Sequence, residues 1–160
     1  MVYILRQMKS EIPAENERLN GLKDPNEFSP VLASIDDVDG ILSLVARNAG
    51  NLLARTREDM LELLATTWVA HEKAVGSQNK VIGCVCLEVY SAKICELRTL
   101  AVDPQFQRFG IGTKLVSIAV AEAKARNIPQ ILTVTSSPEW FEKQNFGSCL
   151  KEKFALFYRG

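Results

Sequence analysis

The chain switches between stretches with apolar residues at every second position and stretches with them at every third or fourth. The order of those stretches predicts its elements. Pro30–Ile35 is a short apolar run that reads as a first strand. Asp36 or Asp37 then caps a helix whose apolar positions Val38, Ile41, Leu42, Val45 and Ala49 share one face, with Gly50 ending it. Thr56 caps a second helix, with Asp59 three residues on, and Met60, Leu61, Leu63 and Leu64 form its apolar side. Three strand-like runs follow, Thr67–Ala74, Lys80–Tyr90 and Ile94–Val102, and the short turns between them predict an antiparallel meander. A long helix after the glycines at 110 and 112 has a core face of Val116, Ala119, Val120 and Ala123, and stops at Asn127 and Pro129. Gln130–Thr135 is a fifth strand, parallel to the one ending at Val102 because a helix lies between them. Ser137 caps a short helix with Pro138 at its first position, and Lys153–Tyr158 is a last strand. The order βααβββαβαβ describes an α+β fold with helices on both faces of a mixed, mostly antiparallel sheet.

Residues 1–28 break this pattern. They are polar, with turn signals at Asn20-Gly21 and Asp24-Pro25. They read as an N-terminal arm that packs loosely or reaches a second subunit, as in a homodimer, and the domain proper spans 29–160.

Composition narrows the function classes. The 160 residues suit one domain, and 47% hydrophobic content is ordinary for a globular protein. Nineteen Lys and Arg balance nineteen Asp and Glu, so no overall field favours nucleic acid or an anionic membrane. No apolar run approaches the roughly 20 residues of a membrane span, and Met1–Ser10 lacks the plan of a secretory signal. One histidine and no Cys-x-x-Cys leave no metal-ligand cluster. Cys84 and Cys86 lie two apart in a valine-rich run, on one face of a strand, and read as small buried residues in a reducing compartment. The expected location is cytoplasmic.

The candidate chemistry sits at Val102-Asp103-Pro104-Gln105-Phe106-Gln107-Arg108-Phe109-Gly110-Ile111-Gly112. A strand runs into Asp-Pro, and Gln-x-x-Gly-x-Gly opens the long helix. Glycines at such a junction let backbone N–H groups approach a ligand, and a helix N-terminus holds phosphate. A nucleoside-triphosphate loop needs Gly-Lys followed by Ser or Thr, whereas Gly112 is followed by Thr113-Lys114. A dinucleotide fingerprint needs a small residue at the position of Leu115 and an acid about 20 residues on, and Thr135-Ser136-Ser137 supplies none. Glu96 is the one acid within the apolar strand before the loop. Its separation from Val102 is even, which in a regular strand puts both side chains on one face.

With these residues the chain resembles the GNAT family of N-acetyltransferases. Gln107, Gly110 and Gly112 match that family's coenzyme A signature, the Val-Asp-Pro lead-in matches, and the shared element order covers about four-fifths of the chain. Glu96-Leu97-Arg98-Thr99-Leu100-Ala101-Val102, Leu132-Thr133-Val134-Thr135-Ser136-Ser137, Trp140-Phe141-Glu142-Lys143-Gln144-Asn145-Phe146 and Leu52-Leu53-Ala54-Arg55-Thr56-Arg57-Glu58 look most like the acetyltransferase domain of N-acetylglutamate synthase. The resemblance implies a six- to seven-stranded sheet whose central parallel strands splay apart, and acetyl-CoA as co-substrate. It implies that the backbone of Leu100, Ala101 and Val102 binds the pantetheine arm, with the Val102 N–H donating to the acetyl carbonyl. Gln107, Arg108, Phe109, Gly110, Ile111, Gly112 and Thr113 would hold the pyrophosphate, and Glu96 would deprotonate the amine. Phe141 stands where many members carry a tyrosine acid, and Ala54 stands at an expected basic position. The implied reaction is acetyl transfer to the primary amine of a small molecule, an amino acid among the options, in a ternary complex. The alternative is a non-catalytic acyl-CoA sensor.

Overall fold

A computed structural model describes residues 28–50, 52, 54–72 and 80–147. The expected arm up to residue 27, Cys149 and the strand at 153–158 lie outside the described residues. Within them, five strands form one sheet in the order β1-β2-β3-β4-β5. They are β1 (Val31–Leu32), β2 (Thr67–Glu72), β3 (Lys80–Val89), β4 (Ile94–Val102) and β5 (Gln130–Leu132). The first three junctions are antiparallel and β4–β5 is parallel, as the element order predicts. Helices α1 (Val38–Arg47) and α2 (Arg57–Leu63) cover one face, and α3 (Ile111–Ala125) and α4 (Pro138–Glu142) belong to the other.

Alternation along β3 feeds two cores. Val85 and Leu87 join Leu97, Leu115 and Ala119 under α3. Cys84 and Cys86 point the other way and pack with Ile41, Leu44 and Met60 under α1 and α2. Gly83 makes the α3 side close, since a Cβ there would lie 2.9 Å from Ile111 Cγ2 and 3.1 Å from Leu115 Cδ1. The first turn of α3 is thereby pressed against the sheet. Phe28 is buried and meets Phe106 edge-on at 5.8 Å.

Several boundaries differ from the pattern, each for a local reason. The first strand stops at Leu32 because Ser34 and Asp37 close a one-turn 3-10 helix over Ile35–Asp37. The Asp37 carboxylate accepts from the Ser34 N–H at 2.8 Å and from its hydroxyl at 3.0 Å. α1 ends at Arg47, not Gly50, because Asn48 turns its amide back to the Leu44 carbonyl at 2.8 Å. Thr56 and Asp59 cap α2 reciprocally, at 3.1 and 2.9 Å. Asn127 stops α3 in a left-handed conformation, φ 57°. β5 ends at Leu132 rather than Thr135, where its pairing with β4 stops. Ser137 precedes α4, but its hydroxyl makes no capping bond.

β4 is the irregular strand. Cys84 pairs with Ala101 and Cys86 with Arg98, so two steps on β3 face three on β4. The extra residue is a bulge, and Thr99 takes φ 54°, a costly value for a β-branched residue. The bulge overturns the parity expected for Glu96 and Val102. Cys95 and Leu97 face α3 before it, whereas Leu100 and Val102 face α3 after it. Glu96, opposite Glu88, is therefore on the α1–α2 face.

Asp37 also joins His71 Nε2 at 2.6 Å, tying the turn before α1 to β2. Burial opposes its ionisation, but the Ser34 N–H, His71 and the Ser34 hydroxyl outweigh this and hold its carboxyl below the usual carboxylate range. A depressed folded value means stability that is present above the unfolded value and lost as pH falls through the folded one. Asp37→Ala should cost about 1 kcal/mol at neutral pH. The cost should shrink as thermal unfolding is followed below about pH 4.

Candidate active site

Beyond Glu96 and Leu132, β4 and β5 are no longer paired, the last contacts being Ile94–Gln130, Cys95–Ile131 and Glu96–Leu132. Just past them, the Thr133 hydroxyl donates to the Leu97 carbonyl at 3.2 Å. The strands then part around a cleft of about 1060 Å³ that reaches from Glu96 and Arg98 to the start of α3. Leu100, Ala101, Val102, Gln107, Arg108, Gly110, Ile111, Gly112 and Thr113 all line it, so the structure gathers these expected residues on one cavity. Phe109 is the exception, since it is not on the cleft wall and is partly exposed.

The glycine loop is held by its own chemistry. Asp103 caps the 3-10 turn Pro104–Phe106 through the Gln105 N–H at 3.1 Å. Arg108 and Gly110 take φ 72° and 76°, which turns the chain into α3. The helix's first bond runs from the Lys114 N–H to the Gly110 carbonyl at 3.0 Å, so the N–H groups of Ile111, Gly112 and Thr113 precede the intrahelical ladder. The Asp103 N–H donates to the Ile82 carbonyl at 2.8 Å. Alternation along the antiparallel pair then turns the Val102 N–H away from β3 and toward the gap. The Val102 carbonyl accepts from Gln107 Nε2 at 3.4 Å.

Asp103, read in the sequence only as part of the Val-Asp-Pro lead-in, anchors the loop from behind the cleft wall. It is 5% exposed and takes Arg47 of α1 at 3.3 Å and Lys80 of β3 at 3.2 Å. It anchors the loop to both. An acid directly after an apolar strand was the available signal, but its cations come from distant elements.

The other end of the cleft is charged. Glu96 has a side chain 14% exposed and accepts from the Tyr90 hydroxyl. Arg98 Nε lies 3.8 Å from the same carboxylate, and its Nη1 pairs with Glu88. The bond to Glu96, with burial, pushes the Tyr90 phenol above its usual range, so it stays a proton donor to Glu96. Arg55 Nε donates to the Thr99 hydroxyl at 3.2 Å. Arg57 instead pairs with Asp39, away from the cleft. Nothing in the sequence pattern places the Tyr90 phenol at the site; the hairpin register that sets Glu88 against Glu96 brings it to Glu96.

Among the described residues the aromatic end carries no phenol. Phe141 is buried and stacks edge-on with Trp140 at 4.9 Å and Phe146 at 5.4 Å. Trp140 packs on the core and lines the cleft. Burial pushes the thiols of Cys84, Cys86 and Cys95 up, away from thiolate. No helix among the described residues is long and apolar enough to cross a membrane.

Solved structures share this architecture. A Mycobacterium tuberculosis protein crystallised in complex with CoA superposes with a TM-score of 0.67 at 28% identity, over 72% of this chain and 69% of that one. N-acetylglutamate synthase from Neisseria gonorrhoeae, complexed with coenzyme A and N-acetyl-glutamate, gives 0.65 at 25% identity. That match covers 72% of this chain but 27% of the synthase. The fold and the parted-strand cleft thus define an acyltransferase that uses acetyl-CoA. Residues 64–147 match the family model of the acetyltransferase (GNAT) domain. The chain is 32% identical over 125 residues to an amino-acid acetyltransferase of Mycobacterium tuberculosis, covering 76% of this chain and 71% of that one. It is 29% identical to an uncharacterized N-acetyltransferase of Chlorobaculum tepidum, covering 76% and 77%. The chain belongs to the GNAT family and is an N-acetyltransferase, as its sequence motifs suggested.

Gly110 offers a direct test of the loop. At φ 76° a Cβ is strained by about 1 kcal/mol. Gly110→Ala should raise KM for acetyl-CoA severalfold, measured by thiol release, with little change in kcat.

Proposed function

We propose that this enzyme transfers acetyl from acetyl-CoA directly to the amine of a small molecule, an α-amino acid, with both substrates held in the cleft at once. One observation carries the reading: a single cavity joins the glycine loop to the Glu96–Arg55 end across the parted strands. The bulge supports the same division. It leaves Leu100 and Val102 facing α3, and Glu96 facing α1 and α2.

Acetyl-CoA supplies an activated acetyl group on a thiol that leaves readily as thiolate. The free N–H groups of the first turn of α3, with Arg108 beside them, are suited to its pyrophosphate. The loop residues from Gln107 to Thr113 are assigned to the pyrophosphate, Phe109 through its main chain because its side chain lies off the cleft wall. The Val102 N–H is the donor for the thioester carbonyl. Glu96 takes the proton of the acceptor ammonium, with the Tyr90 hydroxyl orienting its carboxylate. Arg55 is the cation for the acceptor's carboxylate. The amino-acid acetyltransferase among the relatives supports an amino-acid acceptor.

Direct transfer is favoured over an acetyl-cysteine route because the described cysteines are buried and held as thiols. The arm of residues 1–28 stays a proposed accessory segment to the domain spanning 29–160, with a homodimer as its proposed use.

Glu96→Gln should lower kcat about 100-fold or more while acetyl-CoA still binds, as checked by calorimetric titration and thiol release with an amino-acid panel. Unchanged turnover would remove Glu96 as the base. Incubation with acetyl-CoA alone should leave the protein mass unchanged, and an acetylated enzyme in the mass spectrum would replace direct transfer with a two-step route.

A further inference from the structure

We propose that Glu88 is a specificity-determining residue that keeps a second substrate carboxylate out of the cleft, so that the preferred acceptors are α-amino acids without an acidic side chain. The proposal rests on reading the Glu96 end of the cleft as the acceptor site.

Glu88 and Glu96 stand directly opposite each other on β3 and β4. Like charges at such a cross-strand pair repel. Arg98 and Tyr90 resolve the repulsion. Arg98 reaches Glu88 through Nη1 and approaches Glu96 through Nε at 3.8 Å, while Tyr90 donates to Glu96. The Arg98 and Glu88 side chains are 25% and 29% exposed, so the pair sits where water screens it only in part. Burial works against the Arg98 charge, but Glu88 and Glu96 hold it above its usual range.

Arg98 lines the cleft, yet its charge is already committed to two acids of its own chain. An incoming carboxylate would have to displace Glu88 and leave it unpaired beside Glu96. Arg55 differs. Its Nε meets the neutral Thr99 hydroxyl, and among the described residues no acid lies within ion-pair distance of it. Glu88 and Glu96 share Arg98, whereas Arg55 feels Asp59 only from beyond ion-pair distance and is the cation left to take one carboxylate. A substrate with a single carboxylate matches that arrangement. A dicarboxylate brings a second negative charge toward Glu88 and Glu96, and specificity follows from that repulsion.

Glutamine and glutamate are close in shape and differ in this charge, which makes them the test pair. The wild-type enzyme, assayed by thiol release with acetyl-CoA, should favour glutamine over glutamate by about tenfold or more in kcat/KM. Glu88→Gln leaves Arg98 with Glu96 as its one close acid and should narrow that ratio about tenfold, through KM for glutamate. Adding Arg98→Gln to that variant should restore the discrimination, which a general loosening of the site would not do. Glu88→Ser provides a second route to the same release if the glutamine variant folds poorly, with thermal unfolding as the check. Equal use of glutamate and glutamine by the wild type, or an unchanged ratio in both Glu88 variants, would overturn the role of Glu88 and leave the amino-acid reading standing. Turnover with no amino acid, while acetyl-CoA still binds, would overturn both.

Discussion

β4 loses its parallel partner after Glu96, and the backbone groups beyond that point must find something else to bond. A strand in the middle of a sheet ordinarily satisfies both edges with its neighbours. Here one edge of the C-terminal half of β4 is turned toward a cleft of about 1060 Å³. The rest of the site follows from that parting. The gap exposes main-chain donors for a ligand, and the start of α3 closes one end of it. Gly83 matters because it lets α3 lie close enough for its first turn to reach the gap.

The bulge at Thr99 gives the cleft two chemically distinct ends. By inserting one residue it turns Leu100 and Val102 toward α3 while Glu96 stays with Glu88 on the opposite face. A flat, fully paired sheet would separate those faces. The parted strands reconnect them, so a carboxylate on one face and main-chain donors serving the other border the same cavity. Charge is arranged to match. Asp103 takes Arg47 and Lys80 beneath the glycine loop, whereas Glu88, Arg98, Glu96 and Tyr90 form a network at the far end. The left-handed backbone of Thr99 is held by its neighbours. Its hydroxyl accepts from Arg55, and its carbonyl lies 3.4 Å from the Cys84 sulfur.

Much of this was legible in the chain. The antiparallel meander, the parallel fifth strand, the caps at Thr56 and Asn127, and the opposite faces of Cys84 and Val85 follow from periodicity and local signals. Boundaries moved where a side chain competed for backbone groups, as Ser34 and Asp37 did for the first strand and Asn48 for the end of α1. The glycine loop was readable because main-chain conformation is written in Gly, Pro and Asp at fixed spacing. The partners of Tyr90 and Asp103 were not readable, because they come from other strands and helices.

Sequence by itself determined the elements, their order and the class of co-substrate, because hydrophobic period and turn chemistry act over a few residues. It also marked Glu96 as the acid to watch. Tertiary structure decided which face Glu96 occupies, since strand alternation holds only until a bulge, and the bulge is defined by pairing with β3. It decided too that Arg98 is spent on Glu88 while Arg55 is not. Ion pairs depend on distances of a few ångströms between residues far apart in the chain, and no local pattern of residues encodes those.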